Sequence, residues 1–254
     1  MSEREQDFFI GWAETPKPDR RFLLGASLGL LTLSGVGAAL LARSQAPVGT
    51  GSWDMSDVRT FSGMLVREPY PMLLTNAFSD APRTAFLVTN GKTGVQRRLG
   101  ALADGPVNVM GSVIQRGASA MIAAIDGDAW IAPAPSVAVP EFATWAEEDL
   151  GEVLLVGEVL DAKCWFGAMR PSSGKVHKAC AALCVRGGLP PAFCSGGTIC
   201  GESSEAPLLL RADGGPHGEE LLELVADPVH AIGRLVRVGD VTQFRADISA
   251  IHRL

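Results

Sequence analysis

The longest uncharged stretch of the chain lies near its N-terminus. Residues 22–42 read FLLGASLGLLTLSGVGAALLA, a run long enough to cross the hydrocarbon core of a bilayer as a helix. Arg20 and Arg21 directly precede this run, whereas no basic residue lies between Arg43 and Arg59. The imbalance predicts a single-pass anchor in a bacterial inner membrane, with a cytoplasmic N-terminus and periplasmic C-terminal domains.

Two properties of this segment stay open at the level of sequence. The only tolerable signal-peptidase site ends at Ala46 and is followed by Pro47, which disfavours cleavage and favours a retained anchor. The Arg20-Arg21 pair before an apolar run fits the twin-arginine export signal. It equally fits the ordinary preference for basic residues on the cytoplasmic side. The sequence therefore predicts an anchor and leaves its export route undecided.

Beyond the anchor, two parts of the chain carry the same pattern of apolar residues and glycines. Residues 107–117 align with residues 229–239, with one glycine inside each run and another at its end. A second pair of similar segments is centred on Gly63 and Gly157. Strands joined by short turns that contain glycine give this pattern. The repeat predicts two copies of one small β-domain, and the longer spacing in the second copy predicts an insert there.

We expect a mainly β protein in which a transmembrane helix precedes two tandem small OB-like β-barrels. The second barrel would carry a Cys/His-bearing loop or helix as its insert. A sandwich of short strands is the alternative for each domain. The predicted parts are a tail (residues 1–21), an anchor (22–42), a linker (43–58), a first β-domain (59–131), a proline-rich linker (132–150) and a second β-domain (151–254) with its insert at 161–201.

Composition narrows the classes of function. The 254-residue chain is 47% hydrophobic, which is enough for a packed core, and its net charge is −6. The sequence has no basic stripe, so we expect no nucleic-acid partner. It also lacks the motifs of serine hydrolases, P-loop nucleotidases, dinucleotide-binding enzymes and zinc peptidases. We therefore favour a non-catalytic protein, although these absences leave enzymatic activity an open question.

A cluster of cysteine and histidine residues is the main candidate site. Cys164, His177, Cys180 and Cys184 lie close together, and a helix over the last three would place them on one face. Three thiolates and one imidazole suit zinc, and thiolate-rich sites also suit copper(I). Asp161 or a backbone carbonyl would then accept the other imidazole N–H as an outer partner of the metal site. The cofactor stays unknown under this hypothesis, with zinc or copper as the candidates.

Disulfide bonds are the competing interpretation of the same cysteines. An exported domain lies in an oxidising compartment, where cysteines pair more often than they bind metal. Cys164 would then bridge to Cys180 or Cys184, and Cys194 to Cys200. Five cysteines are an odd number, so at least one is free, metal-bound or paired between chains. Disulfides are the favoured hypothesis, and a Cys194–Cys200 bridge beside a metal site is a mixed alternative.

The order of these residues resembles a group of uncharacterised bacterial proteins, secreted or membrane-anchored, with an OB-like fold. In that group a D-x-x-C motif is followed by H-x-x-C-x-x-x-C-x-x-G-G and by a terminal V-x-V-x-G strand. The matching residues, all within 151–254, are Asp161, Cys164, His177, Cys180, Cys184, Gly187 and Gly188. The resemblance implies an OB-like fold and an exported or membrane location, and it implies no activity.

The anchor, the barrels and the cluster together suggest an accessory role. We expect a periplasmic accessory or assembly protein of a membrane redox or metal-handling system, whose Cys/His loop is held by disulfides or loaded with metal. Its expected partners are the membrane and the integral-membrane subunits of a redox complex. The alternative is a redox-active or metal-binding protein that uses Cys164, His177, Cys180 and Cys184 to transfer electrons, thiol equivalents, copper or zinc.

Overall fold

The chain divides into an N-terminal helical unit and a β-rich body. These two compact units are residues 1–46 and 47–254, and each is described by itself. The residues that this computed structural model describes are 16–44, 51–78, 83–135, 147–195 and 206–254.

In the described part of the N-terminal unit, residues 16–44, lies the helix α1, which spans Lys17–Ser44. Its segment Lys17–Ala42 is long and apolar enough, by length and composition, to cross a membrane. Large apolar side chains such as Phe22 and Leu33 are exposed along it. Such an exposed apolar surface is better suited to contact with lipid than with water. The helix therefore agrees with the predicted anchor at residues 22–42.

Five strands close into the first barrel. They are β2 (Arg59–Val66), β3 (Met72–Thr75), β4 (Arg83–Thr89), β5 (Gly105–Arg116) and β6 (Ser119–Ala124). The order around the ring is β2-β3-β4-β6-β5 and back to β2. Neighbouring strands are antiparallel except for β4 and β6, which are parallel. The short strands β1 (Ser52–Trp53) and β7 (Ile131–Pro133) pair with β5, and a short helix, α2 (Gln96–Leu99), follows β4.

The second barrel repeats this arrangement. Its five strands are β8 (Glu147–Asp161), β9 (Pro191–Ser195), β10 (Leu208–Leu210), β11 (Pro228–Val238) and β12 (Val241–Arg245). The order around the ring is β8-β9-β10-β12-β11 and back to β8. As in the first barrel, neighbouring strands are antiparallel except for one pair, β10 and β12, which are the third and fifth strands of this barrel along the chain. A short final strand, β13 (Ile251–Arg253), pairs with β11. The structure thus confirms two small closed barrels after an apolar helix.

Two glycines explain why the repeat is visible in the sequence. Gly63 in β2 pairs with Val107, and Gly157 in β8 pairs with Val229, so the two barrels share one register. A Cβ added at either glycine would lie within 2.2 Å of a carbonyl oxygen of the neighbouring strand. Only a residue without a side chain lets the strands approach so closely at this point of a tightly coiled barrel.

The insert of the second barrel connects its first two strands. Residues 162–190 run from β8 to β9 and contain the helix α3, Lys178–Arg186. Residues 67–71 make the same connection in the first barrel. The predicted insert of 161–201 is too long at its end, because Pro191–Ser195 pairs with β8 and completes the ring as β9.

Both predicted linkers contribute residues to strands. Ser52–Trp53 lies within the predicted linker 43–58 and pairs with β5. Strand β8 begins at Glu147, inside the predicted linker 132–150, because it pairs with β11 as far as Val238. Residues 136–146 of that linker lie outside the described residues.

Three groups of buried side chains hold the body together. One fills the first barrel around Leu65, and another fills the second barrel around Phe244. The third lies between the barrels, where Phe86 of the first barrel meets Trp165 and Leu189 of the second. Since each fully buried large apolar side chain contributes about 1.5–3 kcal/mol, this third group joins the barrels firmly. The insert supplies much of it, so the insert is fixed between the two barrels.

Candidate thiol site in the insert of the second barrel

The predicted cluster lies in the insert between β8 and β9. Asp161 is the last residue of β8, Cys164 lies in the turn that follows, and His177 directly precedes α3. Cys180 and Cys184 are four residues apart on α3, so their side chains leave the same face of the helix. The cysteines pack against the buried group between the barrels, which fixes their backbone from both sides.

The three cysteines of the insert point at one another. Their sulfur atoms all lie within 4.8 Å of one another, and Cys164 Sγ is 3.8 Å from Cys180 Sγ. All three are free thiols, so neither predicted bridge from Cys164, to Cys180 or to Cys184, is formed in this structure. Cys164 and Cys184 are buried and Cys180 is half-buried. Cys180 is therefore the most accessible of the three thiols.

The separation of these sulfurs suits a shared metal ion. Zinc–sulfur bonds are about 2.3 Å long, and a tetrahedron with such bonds has edges of about 3.8 Å. The distance between Cys164 Sγ and Cys180 Sγ already has this value. All three sulfurs lie within 4.8 Å of one another, so shifts of about 1 Å or less would complete the spacing.

His177 and Asp161 form a second group beside the sulfurs. His177 Nε2 is 3.0 Å from Asp161 Oδ2, and Asp161 Oδ1 accepts the backbone N–H of Cys164 at 2.8 Å. Both side chains are buried. The ligand atoms of Asp161, Cys164 and His177 lie within 4.8 Å of one another, so Cys164 belongs to both groups. Because α3 begins only at Lys178, His177 precedes the helix that carries the other two cysteines.

Sequence reasoning missed Lys92, which reaches the site from the first barrel. Its Nζ donates a hydrogen bond to Cys180 Sγ at 2.6 Å. The loop that carries it is held against the end of α3, where the Gly94 N–H donates to the Gly187 carbonyl at 3.0 Å. Lys92 is 88 residues away from Cys180 along the chain. Only the packing of one barrel against the other brings the two residues together.

Lys163, in the turn that follows β8, hydrogen-bonds to the backbone of the same part of the first barrel. Its Nζ donates to the carbonyl oxygens of Thr89, Asn90 and Gly91 at 2.7–2.9 Å. It also lies 4.8 Å from the centre of the Trp53 ring, a favourable place for a cation. Burial lowers the pKa of Lys163 to about 8. The residue next to Cys164 therefore ties the thiol site to the first barrel.

The thiols do not share their protons equally. The side-chain interaction between Cys164 and Cys184 raises the pKa of Cys164 and lowers the pKa of Cys184. Burial also raises the pKa of Cys164, and the positive charge of Lys92 helps to lower that of Cys184. A thiolate is the form that binds metal or attacks a disulfide. The arrangement therefore favours negative charge on Cys184 and places a cation beside Cys180.

Of the two remaining cysteines, the structure describes Cys194 but not Cys200. Cys194 is buried on β9 and belongs to the group of side chains between the barrels. Cys200 lies outside the described residues. The predicted bridge between Cys194 and Cys200 therefore stays a prediction.

Comparison with known proteins does not indicate a family or a function for this chain. No protein family, curated protein or solved structure matches the chain. The resemblance to a bacterial group with a D-x-x-C and H-x-x-C-x-x-x-C pattern thus stays a prediction. Any function must be argued from the geometry of the site itself.

Proposed function

We propose that this protein is a membrane-anchored accessory protein that binds one soft metal ion, copper(I) or zinc, at Cys164, Cys180 and Cys184. The observation that carries the proposal is the convergence of three free sulfurs within 4.8 Å of one another. Soft thiolates select copper(I) and zinc over hard cations. Free thiols that converge in a partly enclosed site are better explained by a shared ion than by packing alone.

The two candidate metals differ in the fourth ligand that they require. Copper(I) is satisfied by three thiolates, whereas structural zinc is four-coordinate. His177 is the nearest candidate for a fourth ligand, since it shares a group with Cys164. Its Nε2 atom faces Asp161 at 3.0 Å, so zinc coordination through that atom would require the ring to turn. A three-sulfur copper(I) site needs no such change.

The wider role follows from the fold and the helix. We propose that both barrels are OB-like, which the strand order β2-β3-β4-β6-β5 with one parallel pair supports. The apolar helix and its preceding arginines support an inner-membrane anchor with the barrels in the periplasm. A protein so placed would handle metal for, or stabilise, a redox complex of the same membrane.

The proposal is tested by metal loading of the full-length protein purified in detergent without oxygen. Copper(I) is titrated against a chromogenic chelator, and zinc is titrated separately. We expect one equivalent of metal per chain, and we expect Cys180→Ser to weaken binding by at least about tenfold because one metal–sulfur bond is lost. Met169→Leu, a change at a nearby partly exposed sulfur, is the matched control and should leave binding unchanged. Equal binding by wild type and by Cys180→Ser would refute the site.

A second candidate function is thiol–disulfide exchange. Cys164 Sγ and Cys180 Sγ are 3.8 Å apart, and Cys180 is the more accessible of the two. Oxidation of the two thiols would form one disulfide and release two protons and two electrons. An external disulfide would accept these protons and electrons and become two thiols. A reversible bridge in glutathione buffers, with no metal bound at equal protein concentration, would favour this function over the metal site.

A further inference from the structure

A cavity of about 710 Å³ lies between the two barrels, away from the sulfur atoms. Its walls come from the β2–β3 connection, the region of α2, the end of α3 and residues 216–219 of the second barrel. This volume lies within the range of about 300–1,000 Å³ that is usual for small-molecule sites. Both barrels contribute walls, so the cavity exists only because the barrels are packed together.

The cavity is basic although the protein is acidic. Four arginines line it, namely Arg67, Arg97, Arg98 and Arg186, against the two glutamates Glu68 and Glu219. The chain as a whole has a net charge of −6. A concentration of arginine that opposes the charge of the whole chain indicates a site for an anion.

Two of these arginines are structural and two are uncommitted. Arg67 donates to the carbonyls of Leu102 and Gly100, and Arg98 donates to two carbonyls and lies 4.8 Å from the centre of the Trp130 ring. Arg97 and Arg186 make no hydrogen bond or ion pair with any residue that the structure describes. One comes from each barrel, so their planar guanidinium groups are available to a shared oxyanion.

His217 also lines the cavity. Both of its ring nitrogens are enclosed, and neither has a hydrogen-bond partner in the described part of the chain. Burial lowers the pKa of His217 and so favours the neutral ring. Because an enclosed nitrogen offers no surface to a ligand, an oxyanion in the cavity would be held by Arg97 and Arg186.

We propose that this cavity binds a small organic molecule with an oxyanion head, a carboxylate or a phosphate, and an apolar body. Arg97 and Arg186 hold the head. The apolar body lies against the rings of Pro69 and Tyr70, which also line the cavity. This inference does not depend on the metal site, because none of the three cysteines lines the cavity.

The cavity nevertheless borders the thiol site. Gly187 and Gly188 after α3 line its wall, together with Thr89 at the end of β4 and Thr93 of the loop that carries Lys92. The cavity and the thiol site therefore share this loop and the end of α3.

The test is equilibrium dialysis of the full-length protein in detergent against three probes: phenyl phosphate, benzoate and inorganic phosphate. We expect saturable binding of phenyl phosphate or benzoate, and weaker binding of inorganic phosphate, which lacks the apolar body. The relative affinity of the first two identifies the head group. The double variant Arg97→Ala/Arg186→Ala should weaken binding by at least about tenfold, since charge-assisted hydrogen bonds are lost.

Controls separate this proposal from general charge effects and from the metal site. Arg59→Ala removes an exposed arginine that does not line the cavity, and it should leave binding within about twofold. Cys180→Ser should also leave probe binding unchanged. Absence of saturable binding for all three probes, or binding that is the same in wild type and in the double arginine variant, would overturn the proposal.

Discussion

At the scale of single residues, the candidate site is a set of thiols whose surroundings come from two barrels. The sequence predicted Asp161, Cys164, His177, Cys180 and Cys184 from their spacing, and the structure places them in two groups of three that share Cys164. It could not predict Lys92 or the role of Lys163, because their partners lie far away in sequence. Spacing along a chain reports neighbours on one helix, whereas contacts between barrels depend on packing that no local pattern records.

Lys163 offers a stability prediction at this scale. Lys163→Met keeps the aliphatic stem but removes three hydrogen bonds to backbone carbonyls. We expect the free energy of unfolding to fall by about 1–3 kcal/mol, because three carbonyls, one of them in the buried residue Thr89, lose their donor. Denaturant unfolding followed by tryptophan fluorescence measures the change. Lys175→Met, at an exposed lysine of the same insert, is the control and should change stability by less than about 0.5 kcal/mol.

At the scale of elements, glycines and turns carried most of the correct predictions. The repeat of glycine and valine positions predicted that β2 of the first barrel corresponds to β8 of the second. It also predicted the closing hairpins β5–β6 and β11–β12. Short pieces such as α2 and β13 left no comparable pattern, since three or four residues are too few to show a period. The end of the insert was misplaced because β9 is a buried strand without polar alternation.

Gly157 tests whether the close approach of strands in the second barrel is required. A Cβ at this position would lie 1.8 Å from the Cys194 carbonyl oxygen. We therefore expect Gly157→Ala to lower the free energy of unfolding by at least about 2 kcal/mol through overpacking. Thermal unfolding followed by circular dichroism measures it. Gly91→Ala is the matched control, because its nearest contact is 3.8 Å away; similar losses in both variants would contradict this explanation.

Asp227 links the start of α3 to the last strand. Lys178 Nζ and Arg253 Nε both donate to its Oδ2, at 2.7 and 2.9 Å, and Lys178 foremost lowers the pKa of this carboxyl from its ordinary value of 3.8. A lowered carboxyl pKa stabilises the fold above that ordinary value, and the stabilisation is lost as the pH falls through the folded-state pKa.

We therefore expect Asp227→Asn to be less stable than wild type at pH 7 by up to about 1 kcal/mol, as for other partly exposed ion pairs. The difference should shrink as the pH falls below about 4. Unfolding curves between pH 3 and 7, with Asp128→Asn as an exposed control, measure this dependence. A difference that stays constant down to pH 3 would show that the charge of Asp227 is not the cause.

At the scale of the whole molecule, the sequence predicted a helix and two small barrels, and it could not predict how the barrels meet. The third group of buried side chains joins Phe86 of one barrel to Trp165 of the insert. The packing of one barrel against the other places Lys92 beside Cys180 and forms the basic cavity. The insert thus acts as a structural connection as well as the location of the thiols.

The anchor makes a prediction about the intact cell. If α1 is retained as a membrane span, the protein stays in the pellet after alkaline carbonate extraction and its mass includes residues 1–46. If the barrels lie on the periplasmic side, as proposed, proteases added to spheroplasts should digest them. A mature protein that lacks α1 and is released as a soluble form would contradict a retained anchor.

The most direct test of the metal site is X-ray absorption spectroscopy of the metal-loaded, full-length protein. We expect three metal–sulfur bonds of about 2.3 Å at the copper or zinc edge. Sulfur scattering should drop to two bonds in Cys164→Ser, whose sulfur lies 3.8 Å from that of Cys180. A metal shell made only of nitrogen and oxygen, with Cys180 still reactive towards thiol reagents, would contradict the three-thiolate site.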